Sequence, residues 1–175
     1  MNTKIFRLLG TLILMATSAQ YDAQCEIKSK IASDGNLYYY LGPEQFYWSS
    51  AKKLRGGIFT DKEYFYLVLW PQPFPEKPAA QKLKENMQVK LANDSLYQLE
   101  YYYSDYDQGD TSLQLMYLID KKDVKAFTRS EINQVMISLG DSSGVRTYNL
   151  KLHKDALQIQ MNCFLEEKKK KPKKE

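Results

Sequence analysis

The sequence predicts a single α+β domain in which an antiparallel sheet is packed by one or two short helices. Two observations support this fold class. Most of the chain consists of short runs of aromatic, leucine and β-branched residues between turn-forming residues, and few segments have a helical period. An all-β sandwich or barrel is the alternative fold, and it is favoured if residues 157–165 form a strand.

The strand-like runs follow one another along the chain with turn residues between them. Asn93-Asp94 predicts a hairpin turn, and Gly56-Gly57 predicts a turn or bulge. The prolines between 71 and 78 predict a stiff connection without regular strand pairing. The runs that predict strands are 37–41, 58–60, 64–70, 87–91, 96–103, 113–119, 132–139 and 148–152.

Two segments are candidates for helices. Asp120 is placed to cap a short helix that ends near Arg129, with Asp123 three residues after the cap. Over 157–165 apolar and polar residues alternate, which slightly favours a strand. Leu157 and Met161 also share a helical face there, and the composition suits a helix.

Three stretches carry a resemblance to a known group of proteins. They are the segments 117–127 (Tyr-Leu-Ile-Asp-Lys-Lys-Asp-Val-Lys-Ala-Phe), 132–137 (Ile-Asn-Gln-Val-Met-Ile) and 162–164 (Asn-Cys-Phe). Through them residues 113–165, about a third of the chain, resemble the C-terminal part of small, uncharacterised exported proteins of Bacteroidetes. The resemblance implies a final helix over 155–166 and implies no activity.

The beginning of the chain predicts a cleavable secretory signal over 1–19, so that the mature protein starts near Gln20. Lys4 and Arg7 form a short cationic start, an uncharged apolar run covers 8–15, and small residues precede the expected cut. The apolar run is much shorter than the roughly 20 residues that span a bilayer. We therefore expect an exported protein, either periplasmic or secreted.

Cys25 and Cys163 are the two cysteines of the chain, and both lie in the predicted mature part. Lipid attachment at Cys25 is disfavoured, because Asp-Ala-Gln precedes it where processing needs apolar and small groups. Disulfides persist outside the cytoplasm, so a Cys25–Cys163 bridge is expected, with two free thiols as the alternative. Two isolated cysteines and the single histidine, His153, predict no metal site.

The charge of the chain is divided unevenly. Its net charge is +4, but residues 168–175 hold six lysines and one glutamate. Residues 20–167 hold 17 basic and 20 acidic residues, a net charge of −3. We expect one domain over 20–167 and a disordered lysine-rich tail over 168–175. The tail suits weak contact with an anionic surface, whereas nucleic-acid binding is not expected, since no aromatic or arginine is interleaved.

Aromatic clusters at 38–40, 46–48 and 101–103 are candidates for binding. Successive side chains of a strand face opposite sides of a sheet, so each triplet presents rings on both faces. One face is core, and the other is either a platform for sugar, peptide or protein or a set of ordinary cross-strand tyrosine pairs. The candidate aromatic binding face consists of Tyr38, Tyr40, Trp48, Tyr101 and Tyr103.

Support for catalysis in the sequence is weak. His153 has no nucleophile motif to accompany it. Asp105, Asp107 and Asp110 surround a glycine, but the loop lacks the length and the late glutamate of a calcium loop. A solvated hairpin loop is the favoured interpretation of these aspartates. We expect no cofactor, and the sequence favours a protein without catalysis.

The sequence therefore favours an exported, non-enzymatic binding or scaffolding domain of the cell envelope. We expect a monomer whose partner is an envelope protein or a glycan. The alternative is an exported hydrolase that acts on glycan or peptide through carboxylates. A cleft lined by two acids and His153 would support the hydrolase, whereas a flat, exposed Tyr/Trp face without converging acids would support binding.

Overall fold

The computed structural model describes residues 25–74, 84–106, 112–139 and 144–170. The predicted signal over 1–19 lies outside these ranges. None of the described helices is long and apolar enough to cross a membrane. The described elements are β1 (Lys28–Ile31), β2 (Leu37–Tyr40), β3 (Glu44–Trp48), β4 (Lys53–Thr60), β5 (Phe65–Gln72), β6 (Met87–Leu91), β7 (Leu96–Tyr106), β8 (Leu113–Ile119), α1 (Val124–Phe127), β9 (Ile132–Ser138), β10 (Val145–Asn149) and α2 (Ala156–Lys170).

The strands of the described ranges form one antiparallel sheet of ten strands. Its order is β1-β2-β4-β5-β8-β7-β6-β9-β10, and β3 also pairs with β4. β2 pairs with residues 59–60 of β4, whereas β3 pairs with residues 53–56 on the same edge. This edge of β4 therefore has a gap at residues 57–58.

β7 joins the two halves of the sheet. Its first residues pair with β6, and its later residues, from Glu100 to Tyr106, pair with β8. The inward side chains of both halves belong to one cluster of buried residues, which we call the main core. Every second residue of β6 (Met87, Val89 and Leu91) points into this core, as expected for a strand with one solvated face.

The two sides of the curved sheet approach each other at β3. The Phe46 carbonyl accepts hydrogen bonds from the backbone N–H groups of Lys151, at 3.1 Å, and Leu152, at 3.3 Å. The Tyr47 and Tyr148 rings meet edge to face with centroids 5.7 Å apart. The segment that follows β10 therefore lies beside β3, and the sheet wraps round the main core.

α2 covers the gap in the edge of β4. Its buried face consists of residues at helical spacing, including Leu157, Met161 and Phe164, as expected for an amphipathic helix. Gln160 lies on the same face and is 4% exposed. Its Oε1 accepts a hydrogen bond from Ile58 N at 2.7 Å, and its Nε2 donates one to the Gly42 carbonyl at 3.0 Å. This side chain therefore gives the Ile58 N–H the partner that neither β2 nor β3 supplies, and it also binds the β2–β3 connection.

Glycine at 56 and 57 permits this close packing. A Cβ atom at Gly57 would lie 3.2 Å from the Gln160 Oε1 atom, and one at Gly56 would overlap the Phe46 ring and lie 2.8 Å from Leu69 Cδ2. Gly56-Gly57 is therefore neither a turn nor a bulge. Both residues lie inside β4, where a side chain would push away the helix or the core.

The fold is dominated by its sheet. The antiparallel sheet and the two helices are present as predicted, but the helices are few and short, so the balance is not clearly α+β. The segment 157–165 is helical, which confirms the helix expected over 155–166, and α2 continues to Lys170. The alternation of apolar and polar residues over 157–165 was misleading evidence for a strand, because one of the polar residues, Gln160, lies on the buried face of the helix.

Three local predictions differ from the structure. α1 is a single turn whose N-cap is Asp123 and not Asp120, although the Asp120 carboxylate accepts a hydrogen bond from Lys122 N at 3.2 Å. Pro71 lies within β5, beyond the part of that strand that pairs with β8, where proline is tolerated. The predicted tail begins inside α2, since residues 168–170 are helical. The remainder, 171–175, lies outside the described residues.

Replacement of Gln160 by leucine is expected to destabilise the fold. Gln160→Leu leaves the Ile58 N–H and the Gly42 carbonyl buried without partners, at a cost of about 2–4 kcal/mol in the free energy of unfolding. Gln158→Leu, on the half-exposed side of the same helix, serves as the control and is expected to change stability by less than about 0.5 kcal/mol. Denaturant unfolding measures both variants, and equal effects would contradict the role of Gln160.

Candidate functional site

The outer face of the sheet, opposite the main core, carries a second cluster of aromatic rings. Tyr38, Phe59 and Tyr66 are each at most 2% exposed, and they pack with Val68 and Met116. The Tyr38 and Tyr66 rings meet edge to face at 5.6 Å, whereas Tyr40 and Phe59 stack at 5.0 Å. We call this group the outer aromatic cluster.

A bulge in β7 adds two consecutive rings to this side. Tyr101 is paired with Tyr117 and Tyr103 with Met116, so Tyr102 is the extra residue. The Tyr102 ring lies 4.7 Å from that of Tyr66, and Tyr103 packs against the outer cluster. Tyr101 packs towards the main core instead. A bulge of this kind changes which side chains share a face of a strand.

Hydrogen bonds fix the phenols of the outer aromatic cluster. Tyr38 donates to Asp34 at 2.7 Å, and Tyr66 donates to Asp61 at 2.9 Å. Burial raises the pKa of the Tyr38 phenol, and contacts with Tyr102 and Asp34 raise it further. Burial followed by the Asp61 carboxylate raises the pKa of Tyr66 in the same way. Both phenols are therefore neutral donors that hold the turns at Asp34 and Asp61 against the sheet.

The candidate aromatic face is divided by the structure. Tyr38, Tyr40 and Tyr103 lie together in the outer aromatic cluster, but Tyr101 faces the other way. Trp48 is 66% exposed and pairs with Lys53, at the opposite end of β4 from Phe59. The rings that do come together pack mainly on one another, as cross-strand pairs do. They do not form a flat, exposed platform.

An open cleft of about 420 Å³ lies where α2 begins. We call it the acidic cleft. Its rim carries three carboxylates, one histidine and one lysine, and its floor is formed by the β2–β3 connection and the first turns of α2. Its lining residues are Glu26, Lys28, Leu41, Gly42, Glu44, His153, Asp155, Ala156, Ile159 and Gln160.

Different elements bring the acids of the cleft together. Glu44 is the first residue of β3, and Asp155 directly precedes α2. Glu26 follows Cys25, whose sulfur is joined to that of Cys163 on α2. His153 has a φ of +46° at the turn before the helix, and its Nδ1 lies 3.9 Å from a Glu44 carboxylate oxygen. The cleft therefore depends on where β1, β3 and α2 are placed relative to one another.

The charge of the acidic cleft is negative. Lys28 lies 3.8 Å from Glu26 and offsets one carboxylate. His153 offsets a second carboxylate only when it is protonated. Leu41, Ala156 and Ile159 contribute apolar surface beneath this rim. An acidic rim above an apolar floor suits a lysine or arginine side chain, which has a hydrocarbon stem and a cationic end.

The exposure of these groups argues against acid–base catalysis. The side chains of Glu26, Glu44 and His153 are 81%, 43% and 55% exposed. A catalytic carboxyl normally owes its altered pKa to burial or to a close charged neighbour in a water-poor site. The cleft lining has no serine, threonine or cysteine nucleophile. Within the described ranges, no group of three or more His, Cys, Asp or Glu residues is placed to hold a metal ion.

The cysteines connect the acidic cleft to the rest of the fold. The Cα atoms of Cys25 and Cys163 lie 5.5 Å apart, and their sulfur atoms are at bonding distance, 2.02 Å. A smaller pocket of about 310 Å³ lies beside this pair, and Asp155 and Ile159 line both hollows. The bridge thus holds Glu26 and the start of β1 beside the first half of α2.

Sequence reasoning singled out His153 but missed Glu26, Glu44 and Asp155. These acids are 129 residues apart from first to last and belong to no motif. The one signal in the sequence that could have linked Glu26 to Asp155 is the cysteine pair, because Cys25 directly precedes Glu26 and Cys163 lies on the helix that Asp155 precedes. The aspartates at 107 and 110 lie outside the described residues.

Comparison with protein-family models, curated proteins and solved structures finds no match for this chain.

Removal of the bridge is expected to destabilise the protein strongly. The two cysteines are 138 residues apart, and a cross-link over such a loop contributes about 4–5 kcal/mol on the chain-entropy account. Cys25→Ser/Cys163→Ser should lower the free energy of unfolding by an amount of this order, as measured by denaturant unfolding. Dithiothreitol should reproduce the loss in the unmodified protein and leave the double variant unchanged. Two alkylatable thiols in the non-reduced protein would contradict the bridge.

Proposed function

We propose that this chain is an exported, non-enzymatic binding domain of the cell envelope and that it recognises its partner through the acidic cleft. The predicted signal over 1–19 and the cysteine bridge support export, since such bridges persist in oxidising compartments. The single observation that favours this recognition site is the exposed acidic rim over an apolar floor. The partner is an envelope protein that presents a lysine or arginine side chain.

The size and the electrostatics of the cleft support such a partner. A volume of about 420 Å³ accepts a few residues of peptide rather than a folded surface. Glu44 and Asp155 attract a cation, while Leu41 and Ile159 contact its hydrocarbon stem. Because the carboxylates are exposed, each contact with the cation contributes only about 0.5–1 kcal/mol and weakens with salt. The proposal therefore implies modest affinity that depends on ionic strength.

Binding of a basic peptide tests this proposal. Pentalysine amide is the probe, and pentaglutamate is its charge-reversed counterpart. Glu44→Gln and Asp155→Asn are each expected to weaken pentalysine binding by about threefold to fivefold in calorimetric titrations, because each removes one carboxylate from the rim. Added salt should weaken binding to the unmodified protein.

Glu85→Gln is the matched control for this titration. Glu85 is exposed in the segment before β6 and does not line the acidic cleft, so its replacement should leave the affinity unchanged. An equal loss of affinity in all three variants would show that pentalysine responds only to the net charge of the protein. That result would contradict a specific site. Binding of a neutral glycan with the same dependence on Glu44 would instead identify a sugar partner.

A hydrolase is the second candidate, and one observation favours it. The acidic cleft brings together three carboxylates and His153, which is more than the two acids and histidine that such an activity calls for. Exposure of Glu26, Glu44 and His153 argues the other way, since it leaves the carboxyl groups in water. By the conditions set from the sequence, the cleft supports the hydrolase, and the aromatic rings do not form the flat face that would support binding. The exposure of the acids is the reason that we propose binding first.

Assays of hydrolysis distinguish the two candidates. Labelled casein and methylumbelliferyl glycosides are suitable substrates, assayed across a range of pH. We expect no turnover above that of a sample without protein. Turnover that is lost in Glu44→Gln and retained in Glu85→Gln would favour the hydrolase and overturn the non-enzymatic proposal.

A further inference from the structure

A second hollow lies further along α2, away from the acidic cleft. It has a volume of about 140 Å³ and lies between the helix and the turn that joins β4 to β5. Its lining combines two aromatic rings, two lysines, one glutamate and one threonine. We call it the basic pocket, and its residues are Tyr39, Thr60, Lys62, Phe164, Glu167 and Lys168.

The two lysines of the basic pocket lie over aromatic rings. Lys62 Nζ is 4.3 Å from the centroid of the Tyr39 ring, and Lys168 Nζ is 5.4 Å from that of Phe65. Both lysines are exposed, so their stems cover apolar surface while their ammonium groups reach water. Hydrogen bonds fix the turn that carries Lys62: its N–H donates to Thr60 Oγ1 at 3.0 Å, and that hydroxyl donates to the Tyr64 carbonyl at 2.6 Å.

Further lysines follow Lys168 in the sequence. α2 ends with Lys168, Lys169 and Lys170, and the sequence continues with lysines at 171, 173 and 174. Glu167 is the one acid in the lining of the basic pocket. Lysine is therefore the main residue of the sequence from 168 onward, and the first of these lysines, Lys168, lines the basic pocket together with Lys62.

We propose that the basic pocket docks the protein on an anionic lipid surface. Lipid phosphates contact Lys62 and Lys168, the half-buried Tyr39 ring beside Lys62 meets the polar–apolar boundary of the bilayer, and the lysines that follow in the sequence add long-range attraction. Ring-bearing side chains beside lysines are the combination that such an interface favours. The proposal does not depend on a ligand in the acidic cleft.

The orientation that results would leave the acidic cleft accessible. Ala156 and Gln160 line the cleft, whereas Phe164 and Lys168 line the basic pocket. Gln160 and Phe164 are four residues apart, about 6 Å along the helix axis, and Ala156 and Lys168 are twelve residues apart, about 18 Å. A protein docked through the basic pocket would therefore hold its acidic end away from the negative surface.

Sedimentation with vesicles tests the proposal on the mature chain, residues 20–175. The probes are phosphatidylcholine vesicles with and without phosphatidylglycerol. We expect binding only to the anionic vesicles, and a loss of about fivefold in the partition coefficient for Lys62→Gln and for Lys168→Gln. The control is Lys84→Gln, a change of the same charge at an exposed residue before β6, which should leave the partition coefficient close to that of the unmodified protein.

Three results would overturn the proposal. Equal losses in Lys62→Gln and Lys84→Gln would show that the tail alone attracts the vesicles. Equal binding to neutral vesicles would exclude recognition of lipid charge. Displacement by glycerol phosphate, but not by sodium chloride at the same ionic strength, would make the pocket a site for a small soluble anion. Thermal unfolding of each variant checks that a loss of binding is not a loss of fold.

Discussion

The edge of β4 between its pairings with β3 and β2 is the place on which the arrangement of this molecule depends. Gly57 and Ile58 have no strand partner there, and an unsatisfied buried N–H is costly. Gln160 on α2 accepts a hydrogen bond from the Ile58 N–H and also donates one to the Gly42 carbonyl of the β2–β3 connection. One side chain therefore fixes the helix to the sheet and sets the floor of the acidic cleft.

Because α2 is fixed in this way, its two ends place side chains of opposite charge on different parts of the surface. Asp155 joins Glu26 and Glu44 at the start of the helix, and Lys168 joins Lys62 further along it. The net charge of the chain hides this separation. A domain with an excess of acids and a lysine-rich end has, in three dimensions, one negative hollow and one positive hollow on the same helix, and each suits a partner of the other sign.

The tyrosines illustrate how far sequence reasoning reaches. Strand periodicity correctly predicts that the triplets place rings on both faces, and Tyr38 and Tyr40 do share a side. It cannot predict the bulge at Tyr102, because an inserted residue depends on the pairing partner and not on the strand alone. Nor can it predict exposure: aspartates hold two of the phenols, and the rings bury one another. The outer aromatic cluster thus consolidates the sheet more than it offers a surface.

By itself the sequence determined most of the strands, the turns between them and the excess of lysine at one end, because periodicity, turn propensity and charge are local properties. The helix expected over 155–166 is present, although the periodicity of that segment slightly favoured a strand. Only the tertiary structure decided that Gly56-Gly57 lies inside a strand and that Gln160 faces the core. It alone brought Glu26, Glu44 and Asp155 to one cleft, since side chains so distant in sequence meet only through the packing of α2 against the sheet.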